Sequence, residues 1–271
     1  MSADTDDARN LLTEFERDNL RGRYRQHLIN TRNNWGVNFN KFRPLWDCFM
    51  LIDEIWHREL EDMSEGINDS KEVFPFFLFA AAHAKAQVVI NLLFSDYVTE
   101  AYSIMREAIE FVVHGYRLLS RPDLLDVWWN RGRDAASLEL WKDEFWFAKE
   151  HRLFEGLPEL YSAWKLCSER ASHAHASSLL VRFYAIEPNT EPALHYSGVA
   201  PELLPLMFGG ILSIMSSLEC RIFEITESYL HADTELQQMR NKFGEDMETT
   251  LVSIMKQDLT PGVGVGQPPT L

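Results

Sequence analysis

FPFFLFAAAHAKAQVVINLLF, residues 74–94, decides what kind of fold this chain adopts. The run is long enough to span a bilayer, but His83, Lys85, Gln87 and Asn91 interrupt it. Polar side chains at bilayer depth are costly, so the better reading is a helix over 76–94 buried in protein. Pro75 suits its first turn. The polar exceptions are ordered. His83, Gln87 and Asn91 stand at i, i+4 and i+8, on one stripe of the helix.

A short break at Ser95–Asp96 leads into a second helix over 97–119, closed by Pro122. At about 100° per residue, Tyr102, Met105, Ile109, Val112 and Tyr116 share a core face, and Arg106, Glu110 and Arg117 line its edge. So short a break predicts antiparallel packing. Counting outward from it, His83 and Gln87 are expected to face Arg106 and Glu110 across the hairpin. Buried charges need partners, so the two stripes together would make either a structural network that satisfies itself or a polar pocket for a small ligand, unless Arg106 and Glu110 belong to a solvated surface stripe.

Outward from the hairpin, helical periodicity dominates. Helices are expected over 4–31, 43–63, 123–131, 135–150, 158–172, 202–230 and 233–256, with a loop at Asn33–Asn40. The clearest amphipathic stripe is Leu45, Trp46, Phe49, Ile52, Trp56, Leu60 and Met63. SLLVRFYAI (178–186) and PALHYSGV (192–199) are β-rich and predict one small β-hairpin. Gly209–Gly210, inside a helical pattern, predicts close helix packing. The expected fold is therefore an all-α bundle of eight or nine helices. Residues 1–256 would form a single helical domain, and 257–271 a flexible tail.

Composition excludes several functions. A formal charge of −15 disfavours a nonspecific duplex-DNA binder, which needs a basic face. Cys48, Cys167 and Cys220 are scattered and odd in number, so neither a disulfide framework nor a structural zinc site is expected. The opening MSADTDDARN does not read as a secretory signal, and a cytoplasmic protein without membrane partners is expected. There is no P-loop, no Gly-x-Gly-x-x-Gly, no His-Glu-x-x-His and no Gly-x-Ser-x-Gly elbow. No cofactor is expected.

The densest chemistry lies in SERASHAHASS, residues 168–178. Leu160, Trp164, Cys167 and Ala171 form the core stripe of the preceding helix, and Arg170 lies in its last turn. Metal binding by His173 and His175 would need an extended segment and a third ligand from elsewhere. The bland alternative is a solvated helix end. Arg170-Ala-Ser-His-Ala-His175 resembles the Arg-x(4–6)-His motif of HEPN proteins, an all-α superfamily. Some of its members are metal-independent RNases and many are non-catalytic binders. The resemblance implies a homodimer in catalytic members, with His175 in proton transfer and Arg170 stabilising phosphate charge. Ala171 stands where catalytic members carry a polar residue. AYSIMREAIEFVVHGYRLLSRPDL (101–124), with Tyr161 and Ser172–His173 downstream, is also similar to bacterial helical families of unknown function.

The leading expectation is a HEPN-like protein that binds a small molecule or a protein partner through His83, Gln87, Arg106, Glu110, Ser172 and His173. The alternative is an endoribonuclease, a toxin or defence component, using Arg170 and His175 on RNA. A third reading is a purely structural interaction protein.

Overall fold

The structure, a computed structural model, describes residues 12–67, 69–147, 150–171, 183–184, 193–194, 203–230 and 234–258. Helices α1 (Glu14–Asn19) and α2 (Gly22–Lys41) lead into α3 (Arg43–Gly66), α4 (Ser70–Phe94) and α5 (Val98–Ser120). A 3-10 turn at Pro122–Leu124 precedes α6 (Leu125–Trp129), α7 (Ala135–Phe145), α8 (Glu150–Leu153) and α9 (Pro158–Ala171). Two long helices, α10 (Leu204–Thr226) and α11 (Thr234–Asp258), follow. Between α9 and α10, β1 (Phe183–Tyr184) pairs antiparallel with β2 (Ala193–Leu194), Phe183 opposite Leu194. The fold is an all-α multi-helix bundle with this one small ladder.

The central pair is the expected hairpin, α4 against α5. Its turn is tight: Asp96 takes φ 65° and the Tyr97 amide donates to the Leu92 carbonyl at 2.8 Å. Helix α5 is the hub, with α9 and α10 also packed on it, while α3 carries α11 and α10. The buried side chains join in one hydrophobic cluster, with Trp56, Phe79, Tyr102, Phe94 and Phe208 among the largest. Helices α4, from Glu72, and α10 are both long and apolar enough to cross a membrane.

Several boundaries differ from the sequence reading. Residues 33–40 are helical, within α2, and not a loop. Trp35 and Phe39 stack on each other and pack edge-on against Trp46 and tilted against Phe94, while the Asn38 amide donates to the Phe94 carbonyl and to Asp96, both at 2.9 Å. Tertiary contacts override the weak helix propensity of the asparagines. The break falls earlier, at Gly22, whose φ of 58° suits a residue without a Cβ. Helix α4 begins at Ser70, so Pro75 lies inside it and not in its first turn. The expected helix over 135–150 ends at Phe145. Helix α11 continues to Asp258, past the expected start of the tail, and 259–271 lie outside the described residues.

Two glycines show how position decides the effect of a methyl group. A Cβ on Gly115 of α5 would lie 2.5 Å from Cε1 of the buried Phe79 ring, so the hairpin closes on a missing side chain. A Cβ on Gly36 would meet nothing within 4 Å. Gly115→Val is therefore expected to destabilise the protein by roughly 1–3 kcal/mol through overpacking. Gly36→Ala should stabilise it by about 0.5–1 kcal/mol through helix propensity. Urea denaturation of both variants checks the opposite signs. Gly209 also marks close packing, its Cα facing the Leu251 side chain of α11.

Candidate functional site

The polar residues singled out in the sequence divide between two seams. On the α3–α4 seam, Asp53 Oδ1 lies 2.7 Å from His83 Nε2 and accepts from Gln87 Nε2 at 3.1 Å. His83 is buried and stacks on Trp56 at 5.3 Å. Burial would raise the Asp53 carboxyl, but the hydrogen bonds from His83 and Gln87 hold it below the usual carboxylate range. Asn91 donates back to the Gln87 carbonyl.

On the α5–α9 seam, Arg106 and Glu110 form an i, i+4 ion pair at 3.3 Å. Trp164 of α9 donates its indole N–H to Glu110 Oε1 at 3.0 Å. Arg170 donates to the Tyr102 hydroxyl at 3.1 Å and lies over the Tyr102 ring. Burial pushes the Glu110 carboxyl up, against Trp164 and Arg106. Cys167 feels both guanidiniums, yet burial pushes its thiol up to about 12, so it stays a protonated, inert packing residue.

No hydrogen bond or ion pair among the described residues joins His83 or Gln87 to Arg106 or Glu110, whereas the sequence reading has them facing each other. Among the described residues, the first two bond to α3 and the last two to each other and to α9. A charged residue of α4 that pairs with α5 is Lys85, 2.6 Å from Glu107. Positions 83 and 85 are about 200° apart on a helix, so one faces each neighbour. Ser172, His173 and His175 lie outside the described residues. Arg170 is described, and it turns inward onto Tyr102.

Sequence reasoning missed a third constellation. Arg240 of α11 donates Nε to Glu219 Oε1 of α10 at 2.9 Å and a second N–H to Glu59 of α3, and it lies over the Phe223 ring. Glu59 and Glu219 are 1% and 5% exposed, respectively. Desolvation, then the neighbouring Glu219, pushes the Glu59 carboxyl far above the usual range. Its Oε2 is buried and has no hydrogen-bond partner. A signal existed: Glu59 sits among Ile55, Trp56, Leu60 and Met63, and Glu219 among Met215, Leu218 and Ile222, on the buried faces of their helices.

Among the described residues no group of three or more His, Cys, Asp or Glu side chains could hold a metal. No family model, curated protein or solved structure matches this chain.

Proposed function

We infer that this is a HEPN-like helical binding protein that takes a small anion, a carboxylate or phosphate group, at the α5–α9 seam. One observation carries the reading. Arg106 and Arg170 flank Cys167 and together hold about ten N–H donors, while the described residues offer them only the Glu110 carboxylate and the Tyr102 hydroxyl. Arg106 meets Glu110 through its Nε, 3.3 Å from Oε1. A half-buried surplus of guanidinium donors matches planar, bidentate anion recognition. Trp164, held by Glu110, supplies an apolar wall beside it.

The Asp53–His83–Gln87 cluster is joined by its own hydrogen bonds and ties α3 to α4. The ligand is therefore expected at Arg106 and Arg170, next to where the chain leaves α9 toward Ser172 and His173.

Calorimetric titration with inorganic phosphate, succinate and adenosine monophosphate tests this. At least one should bind saturably, and Arg106→Met and Arg170→Met should each weaken it roughly 10- to 100-fold, the worth of a charged hydrogen bond. His173→Ala should weaken it as well. Binding unchanged in both arginine variants would refute the reading. RNA cleavage lost in His175→Ala would replace it with the nuclease.

A further inference from the structure

Among the described residues, helix α4 carries a face of exposed apolar side chains. Phe77 and Val88 are 58% and 46% exposed, Ala84 is exposed and Ala81 half-buried. Only 44% of the apolar window of this helix is buried. These four residues are spaced 4, 3 and 4 apart, the spacing of a straight seam along a helix.

The order of sizes along the seam is large, small, small, large. That order reads the same in both directions, so the seam fits an antiparallel copy of itself. With a two-fold axis midway between Ala81 and Ala84, Phe77 of one copy would lie opposite Val88 of the other. Ala81 would lie opposite Ala84, small enough for axes to approach to about 8 Å. An isologous contact demands this self-complementarity.

Charge selects the same face. The chain carries −15 overall, so two copies repel over most of their surface. Between Glu72 and Asp96 there is no carboxylate, and Lys85 at the edge of the seam is already paired with Glu107. The seam is a place where two strongly acidic molecules can approach.

Area limits the strength. A helix of 25 residues offers a strip about 37 Å by about 10 Å. That is roughly 370 Å² per copy, about half the usual ~800 Å². At the start of the seam, Trp129, 63% exposed and 4.8 Å from Phe74, extends it. On this pairing, Trp129 and Phe74 would meet the partner's Asn91.

We propose that α4 is the dimerisation helix of this protein, pairing antiparallel with a second copy through Phe77, Ala81, Ala84 and Val88. Sedimentation of the full chain should show a dimer dissociating near about 10 µM. Ala84→Glu, at an exposed position, should keep the circular dichroism and weaken the dimer at least about 10-fold. In a Cys220→Ser background, Ala81→Cys mixed with Ala84→Cys should form a disulfide dimer. Each alone should do so less readily, since like positions are offset by about 4.5 Å along the helices. A monomer at about 100 µM, a dimer indifferent to Ala84→Glu, or cross-linking only between like positions would each overturn the proposal. So would binding to phosphatidylcholine–phosphatidylglycerol vesicles, lost in Ala84→Glu, by a protein monomeric in solution. That result would make lipid the occupant.

Discussion

Replacing Arg240 with methionine is expected to cost roughly 3–5 kcal/mol, the usual loss when one partner of a buried ionic cluster is removed. Glu59 and Glu219 would then face each other in the core without the guanidinium that both bond to. Glu59→Gln is expected to act in the opposite direction. The Glu59 carboxyl is raised in the folded state, so folding takes up a proton. Such a group contributes its full stability below the unfolded value of about 4.5 and loses it as pH rises. At pH 8 the wild type bears that cost, and an amide, which never ionises, does not. Glu59→Gln should gain roughly 1–4 kcal/mol at pH 8, with a smaller gain at pH 5. In the Glu59→Gln background, Arg240→Met should lose less, because one acidic partner is gone. Thermal melts of the single and double variants at both pH values read all of this. A destabilised Glu59→Gln at pH 8 would show that Glu59 is ionised.

Acid should destabilise the protein through His114. Its ring is enclosed by Trp141, Phe145 and Phe147, and its Nε2 is buried without a partner. Burial lowers its pKa from 6.5 to about 4, against a hydrogen bond to the Phe145 backbone. The unfolded chain therefore binds a proton over a range in which the folded one does not. The stabilisation is complete above about pH 6.5 and is lost as pH falls toward about 4, for a total of about 3 kcal/mol. His114→Phe fills a similar ring-shaped space and does not titrate. Between pH 7 and pH 4 it should lose about 3 kcal/mol less stability than the wild type. Parallel pH profiles for the two proteins would refute the assignment.

The hairpin was legible because α4 and α5 carry long periodic patterns and a short break, features set locally. Helix α2 was not, because Asn33, Asn34, Asn38 and Asn40 favour loops when read alone. Their helix is held by Trp35 and Phe39 packing against aromatic rings of α3 and α4. The site divides in the same way. Spacing placed Arg106 with Glu110, and that pair forms. Spacing also put His83 on a stripe with Gln87, and both meet Asp53. What spacing does not carry is which neighbour a stripe faces. The sequence reading turned the histidine stripe toward α5, whereas α3 takes it. Glu59 went unnoticed because a single carboxylate in a charged helix attracts no attention until its stripe is drawn through Ile55 and Met63.

The short turn between α4 and α5 also bears on the order in which the fold can close. Joining those two helices brings together residues separated by little chain. The contact of Arg240 with Glu59 closes a loop of 181 residues. Loop-closure entropy grows with the logarithm of length, so the longer closure costs on the order of 3–4 kcal/mol more before any contact offsets it. The hairpin is thus the part of the molecule that sequence-local contacts can complete first. Helix α11 can lock its arginine between two acids only after α3 and α10 have already met.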